Sequence, residues 1–312
     1  MGSGIRWLPA YAVLAVALLL AVYPNKRIVH WVELGFDWDW GGQVAAHQAF
    51  QNFWWAPVFE EPDSRIVTVL QTALRCQKET DIVELGGGSG FPPSVWAQRL
   101  RDSGTEVKVK LTDWRPNLDA WKKLQGSFPD LITYSSEPVD AMNVSDTIKG
   151  IRMEHMMVHH LKSDEVTKLL ADVVRRKSVL IIGEPWPNRQ NVLTWPVYAV
   201  TYRARALWQG HVTELVKSDP SQLILQPLFG IHDSLVTVLR AHSPTQLEEA
   251  AARVDGAEDY AWTFYGSGST VALCWGQTIP TISSWIDALL PGPMIMWGVF
   301  ASKETLSCMK NT

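Results

Sequence analysis

Cysteine is scarce in this chain. Its 312 residues hold three, Cys76, Cys274 and Cys308, far apart and odd in number. No CxxC pair or His/Cys cluster offers zinc spacing, so no metal site is expected. No disulfide framework is expected either, and the thiols favour a reduced, cytosol-facing environment. An excess of positive charge is also missing. Lys and Arg number 28 against 32 Asp and Glu, giving a net charge of -4 and a pI of about 6.1. Without a basic field to hold a phosphate backbone, no nucleic-acid partner is expected. Internal repeats and low-complexity tracts are absent. With hydrophobic residues at 46% and charged residues at 19%, the composition excludes disorder and supports one sizeable core.

Tryptophan, by contrast, is abundant, with sixteen in the chain. Trp31, Trp38, Trp40, Trp54 and Trp55 cluster near the start. This suits a membrane interface or an aromatic pocket lid, with ordinary packing as the plainer alternative. From Trp7 to Tyr23 the chain is almost uninterruptedly apolar, broken by Pro9, preceded by Arg6 and followed by Lys26 and Arg27. At about 1.5 Å per residue, a helix over this run barely crosses a hydrocarbon core of roughly 30 Å. A retained signal-anchor is favoured over a cleaved signal peptide, because Ala15 to Ala17 sits too deep in the run for easy cleavage. Four regions follow: an N-terminal transmembrane anchor (1–30), a helical Trp-rich extension (31–80), a main domain (81–278) with a helical insertion at about 187–228, and a tail (279–312).

The main domain alternates strands and helices. Ser64 to Gln77 places Ile66, Val67, Leu70, Ala73 and Leu74 on one helical face. Strands are predicted at Asp81–Leu85, Val107–Thr112, Leu131–Tyr134, Ile151–Val158 and Val179–Gly183. Helices are predicted at Pro93–Arg101, Leu118–Gln125, Ser163–Arg176 (capped by Ser163) and Ser243–Arg253. Strands spaced by such helices imply a parallel sheet with right-handed crossovers. A closing antiparallel hairpin is predicted from Trp262–Tyr265 and Thr270–Trp275 around Gly266-Ser267-Gly268-Ser269. The apolar tail from Ile279 to Phe300 carries Asp287, Pro291 and Pro293. It is therefore read as a surface or packing segment rather than a second span.

The strongest local signal is Asp81-Ile-Val-Glu84-Leu-Gly86-Gly87-Gly88-Ser89-Gly90, where a strand ends and a helix is about to begin. A turn this tight needs residues that accept positive φ, and the missing side chains let a ligand approach the backbone. The spacing is Glu-x-Gly-x-Gly-x-Gly. A dinucleotide fingerprint would need a third glycine where Phe91 stands, and Pro92 and Pro93 remove two N–H donors from the helix start. Asp113 ends the next strand a little over twenty residues on, where an acid can accept both hydroxyls of a ribose. A helix N-cap before Pro116 is its plainer role.

These residues resemble the class I S-adenosylmethionine-dependent methyltransferases, from about Ile66 to Gly276. Glu84 to Gly90 resembles the family's first motif and Asp113 its ribose acid. Glu137-Pro-Val-Asp140-Ala, Ile148-Lys-Gly-Ile-Arg, Val158-His159-His160-Leu161 and Phe229-Gly-Ile-His232-Asp233 through Arg240-Ala-His-Ser-Pro resemble a bacterial-type subgroup of largely unassigned substrate. The resemblance implies a Rossmann-like, mostly parallel seven-stranded α/β sheet with helices on both faces, and S-adenosyl-L-methionine as cofactor. Its implied binding set is Glu84, Gly86, Gly87, Gly88, Gly90 and Asp113, with Asp140 near the adenine unless it is only an exposed loop acid. It also implies a base near the end of the fourth strand, where His159 and His160 fall. One of them is that base, or one caps the next helix while the other packs. Glu184, closing the fifth strand, orients the base, binds an amine or is structural. His232, Asp233 and Trp186 are candidates for the acceptor pocket, with a turn and core packing as their plainer roles.

The expected activity is methyl transfer to a small-molecule or lipid-like acceptor, at O or at N or S, on a membrane surface. The domain is expected to face the cytosol, where the cofactor is made, with the endoplasmic reticulum as the candidate membrane. A dinucleotide-dependent oxidoreductase and a non-catalytic cofactor-binding scaffold are the competing readings.

Overall fold

The computed structural model describes residues 65–187, 192, 195, 217, 220, 231–232, 234–267 and 295–312. The predicted anchor, the Trp-rich extension up to residue 64, most of the insertion, the segment Thr270–Trp275 and Asp233 lie outside the described residues. Among the described residues no helix is long and apolar enough to cross a membrane.

The first helix, α1 (Arg65–Gln77), buries Ile66, Val69, Leu70, Ala73 and Leu74, the stripe read from its 3.6-residue period with Val69 in place of the half-buried Val67. The alternation then runs β1 (Asp81–Leu85), α2 (Phe91–Asp102), β2 (Lys108–Thr112), α3 (Leu118–Ser127), β3 (Ile132–Tyr134), β4 (Ile151–His155), α4 (Ser163–Arg175) and β5 (Leu180–Pro185). It closes with α5 (Pro244–Ala251), β6 (Tyr260–Ser267), β7 (Ile295–Ser302) and α6 (Lys303–Asn311).

The seven strands lie in the order β3-β2-β1-β4-β5-β7-β6. The first five are mutually parallel, and β7 is antiparallel to both β5 and β6. Each face is covered. Val109, Leu111, Met153 and Ile181 pack with Leu70 of α1, Trp96 of α2, Trp121 of α3 and Leu306 of α6. On the other face, Val83, Leu85, Leu180 and Ile182 pack with Leu169 and Val173 of α4 and Leu247 of α5. This is the sheet that the resemblance implied. The order reverses between β1 and β4, so the crevice off their carboxyl ends is where a ligand would sit.

Three expectations need correction. The partner of β6 is β7, with Tyr260 opposite Ser302 and Ser267 opposite Ile295. Ile295–Ser302, at the end of the segment read as a tail, is thus the sixth strand across the sheet, buried along Ile295 to Ala301. It is apolar on both faces, so it lacks the alternation that marks a half-exposed strand. Second, β4 ends at His155, because Met156 adopts φ 53 and turns the chain out of the ladder. The N-cap of α4 is Lys162 rather than Ser163, and the Lys162 N–H donates to Glu165 Oε2 at 2.6 Å. Third, two of the three cysteines are paired. Cys76 at the end of α1 is bonded to Cys308 of α6, 232 residues away. Gln77 Nε2 donates to Thr305 Oγ1 at 2.6 Å beside it. Sequence spacing carries no trace of this pairing, because it depends on α6 packing against α1.

A staple across so long a loop restricts the unfolded chain, by about 2–4 kcal/mol in typical cases. Cys308→Ser is expected to lower the Tm by several degrees in a thermal melt, and reductant should produce the same drop in the parent but not in the variant. A parent Tm insensitive to both changes would contradict the staple.

Candidate active site

The turn from β1 into α2 uses its glycines in different ways. Gly86, Gly88 and Gly90 all have positive φ, at 74, 50 and 78 degrees. A Cβ on Gly86 would lie 2.7 Å from Met157 Cγ, and one on Gly90 2.8 Å from Leu111 Cδ1 and 2.9 Å from Leu124 Cδ2. A Cβ on Gly87 would meet Thr112 O and Trp121 Cζ2 at 3.3 Å. These three glycines answer to packing. Gly88 differs: among the described residues, a Cβ there would meet nothing within 4 Å. There the bare backbone of the elbow faces a space clear of described atoms, which is the geometry a closely approaching ligand needs.

Asp113 lies beside that space. Its Oδ2 accepts the Gly88 N–H at 3.1 Å and its Oδ1 the Arg115 N–H at 2.8 Å. Each oxygen keeps a further lone pair for a hydroxyl. Burial raises the Asp113 carboxyl above the usual carboxylate range, opposed by those two N–H groups and by the nearby His160 and Arg115. The loop after β3 is tied to the same point, with Val139 N–H donating to Asp113 O at 2.9 Å. Asp140 follows directly. Its Oδ1 accepts the Met142 N–H at 2.9 Å, closing a turn. The helix that follows the elbow starts from Gly90 with prolines in its first turn and has no side-chain cap.

Glu84 lies in the strand just before the elbow. It is 1% exposed, and its Oε1 lies 2.9 Å from His155 Nδ1. His155 in turn packs between Trp96 and Trp297, at ring distances of 6.2 and 5.5 Å. The motif's acid therefore braces the end of β4 beneath the elbow, a role the sequence reading did not assign. Burial raises its carboxyl, and His155 opposes the shift.

After Met156 the chain forms a single 3-10 turn, Val158–His160, at the carboxyl edge of the sheet. His159 is buried and clamped by Glu184 of β5. Its Nδ1 is 2.8 Å from Glu184 Oε2, and its backbone N–H donates to Oε1 at 3.3 Å. Burial raises Glu184 to about 7, with His160, the His159 and Val158 N–H groups and His242 pulling it back. The His160 ring lies 4.3 Å from that of His159, centroid to centroid. It acts on both Asp113 and Glu184, so the elbow and the histidine pair share one site. With Nδ1 facing Glu184, the other ring nitrogen of His159, Nε2, is buried.

Residues that sequence reasoning missed hold this turn from the other side. Arg240 donates from Nε to His159 O and from Nη2 to His160 O, both at 3.0 Å. His242 Nε2 lies 3.0 Å from Leu161 O. Arg240 ends helical residues 234–240, just before the Ser243-Pro244 cap of α5. The sequence offered both residues only within the run Arg240-Ala-His-Ser-Pro, with no role attached. Glu154 was missed as well. It is fully buried, and burial together with Glu184 and Glu84 drives its carboxyl well above the usual range. Among the acceptor candidates, Trp186 is half-buried against the core and His232 is exposed. Trp195 is buried in the core.

No family model and no curated protein matches this chain. Solved structures do. The citrinin polyketide synthase CMeT domain matches at 10% identity and TM-score 0.39, over 71% of this chain and 46% of that one. The mitomycin 7-O-methyltransferase MmcR matches at 11% and 0.42, over 80% and 60%. The pyocyanin biosynthetic protein PhzM matches at 14% and 0.44, over 96% and 70%. The chain thus spans about half to three fifths of the first two structures. Identities this low concern the fold alone, and at these TM-scores they add nothing to what the strand order shows.

The division of labour among the glycines is testable by urea unfolding. Gly90→Ala combines left-handed strain with overpacking against Leu111 and Leu124, and should destabilise by about 2–4 kcal/mol. Gly88→Ala should cost only the strain, about 1–2 kcal/mol. Equal losses at both positions would contradict the assignment of Gly88 to open space.

Proposed function

We propose that this chain transfers a methyl group from S-adenosyl-L-methionine to a small-molecule or lipid-like acceptor, at oxygen in the simplest case, on a membrane surface reached through its N-terminal segment. The observation that carries the reading is the open backbone at Gly88 with the Asp113 carboxylate 3.1 Å from its N–H, next to a clamped His–Glu pair. The residues present fit the cofactor. Gly88 admits it against the backbone, Asp113 would hold its ribose hydroxyls, and Asp140 stands at the adjoining loop. Glu84 supports this cradle from below through His155.

The bound cofactor supplies an electrophilic methyl carbon with an excellent leaving group. The protein's own task is then alignment, exclusion of water and removal of the acceptor's proton. His159 Nε2 takes that proton. Glu184 fixes the tautomer and ring orientation through Nδ1 and stabilises the imidazolium that forms. His160 extends the polar wall between the base and Asp113. Arg240 and His242 keep the turn from shifting by binding its carbonyls. Trp186, His232 and Asp233 remain the proposed acceptor-side residues.

The direct test is incubation of the protein with labelled cofactor and a lipid and metabolite extract, followed by mass analysis for a species gaining one methyl group. Gly88→Val should abolish this gain together with S-adenosylhomocysteine binding, and unchanged affinity in that variant would count against the site. His159→Ala should lower turnover by about 10²–10⁴-fold with little change in cofactor affinity. Equal activity would remove His159 from the mechanism.

Below about 7 Glu184 takes up a proton and ceases to accept from His159 Nδ1–H. Turnover should therefore rise with pH through about 7, and Glu184→Gln should flatten that step. Stability runs the other way. The folded state holds this proton more tightly than the unfolded chain, so Glu184's contribution is fully present below about 4.5 and is lost as pH rises through 7. Against Glu184→Gln, the parent should lose relative stability over that window in denaturant titrations at several pH values.

A further inference from the structure

The chain contains one Asn-x-Ser/Thr tripeptide, Asn143-Val144-Ser145. It falls in the loop between β3 and β4. Asn143 and Ser145 are exposed, and Val144 between them is buried as the loop's anchor. The Asn143 N–H donates to Asp140 O at 3.0 Å, so the tripeptide projects from a turn. Arg175 Nη2 donates to the Asn143 side-chain oxygen at 3.2 Å, and Arg176 binds Val144 O and Asp146. Those arginines end α4, which starts after β4 at the carboxyl edge and runs back to the start of β5. The tripeptide therefore sits toward the edge of the sheet away from His159 and Glu184. With Asn143 and Ser145 both exposed, the tripeptide is within reach of a modifying enzyme.

A second, independent observation bears on the compartment. The Cys76–Cys308 disulfide joins two surface helices, with Cys308 exposed and Cys76 half-exposed. A disulfide in reach of solvent thiols persists in the secretory lumen or outside the cell and is reduced in the cytosol. An exposed tripeptide of this kind is an acceptor for N-linked glycan in that same compartment. The apolar run Trp7 to Tyr23 is the kind of segment that directs a chain there.

From the exposed tripeptide and the disulfide together we infer that the folded domain lies on the oxidising, glycosylating side of a membrane and carries one N-linked glycan on Asn143. This reverses the cytosolic orientation expected from the sequence. It is independent of the reaction catalysed. If the methyl-transfer reading holds, the charged cofactor reaches the site only through a carrier in that membrane.

The test uses the full chain expressed in glycosylating cultured cells. Treatment with an amidase that removes N-linked glycans should increase gel mobility by one step. Asn143→Gln should show the faster mobility without treatment. Ser145→Ala, which keeps the Asn143 contact with Arg175, should do the same and guards against misfolding of the first variant. In acid-quenched cells, thiol alkylation without reductant should label Cys274 but not Cys76 or Cys308. Parent protein whose mobility is untouched by the amidase, or whose Cys76 and Cys308 alkylate without reduction, overturns the inference.

Discussion

The hydrogen bond from the Gly88 N–H to the Asp113 carboxylate joins the ends of two neighbouring parallel strands across the point where a ligand would lie. Most of the site's geometry follows from keeping that bond in place. On one side, Gly86 and Gly90 let the elbow pack under Met157 and against Leu111 and Leu124. On the other, Val139 fastens the loop after β3 to Asp113's own carbonyl. Below, Glu84 and His155 brace the elbow within a tryptophan-lined core. The site is built from backbone held by buried side chains, which suits a nucleoside without phosphates better than a pyrophosphate. Pro92 and Pro93 strip donors from the helix start that a pyrophosphate would need.

Proton chemistry is placed one strand further along. Glu184 is buried, and its charge is sustained by hydrogen bonds from His159 and the field of His160 and His242. Such an arrangement costs stability and is kept where a group must exchange a proton near neutral pH. Glu154 lies in the same layer, one step along β4. Its neighbours Arg152 and Asp172 form a separate ion pair that ties β4 to α4.

Much of this was legible in the sequence because it follows from local rules. Helix periodicity found α1, and Ser243-Pro244 marked the start of α5. The run of glycines after Glu84, together with Asp113, identified the elbow. The same rules could not find contacts between distant segments. Residues 295–302 are apolar on every side, and only the sheet they enter shows that they are a strand rather than a surface segment. The Cys76–Cys308 bond requires α6 to lie on α1. Motif position also does not reveal that one oxygen of the Glu84 carboxylate meets His155. Arg240 and His242 act on His159 to Leu161 from some eighty residues away, a distance that no spacing pattern encodes.

The most direct measurement of the central claim is a pair of calorimetric titrations of the intact chain, one with S-adenosylhomocysteine and one with NAD. The elbow at Gly88 and the acid at Asp113 predict saturable binding of the first, weakened by Asp113→Asn, and none of the second. Binding of NAD alone, or S-adenosylhomocysteine affinity untouched by Asp113→Asn, would contradict the account.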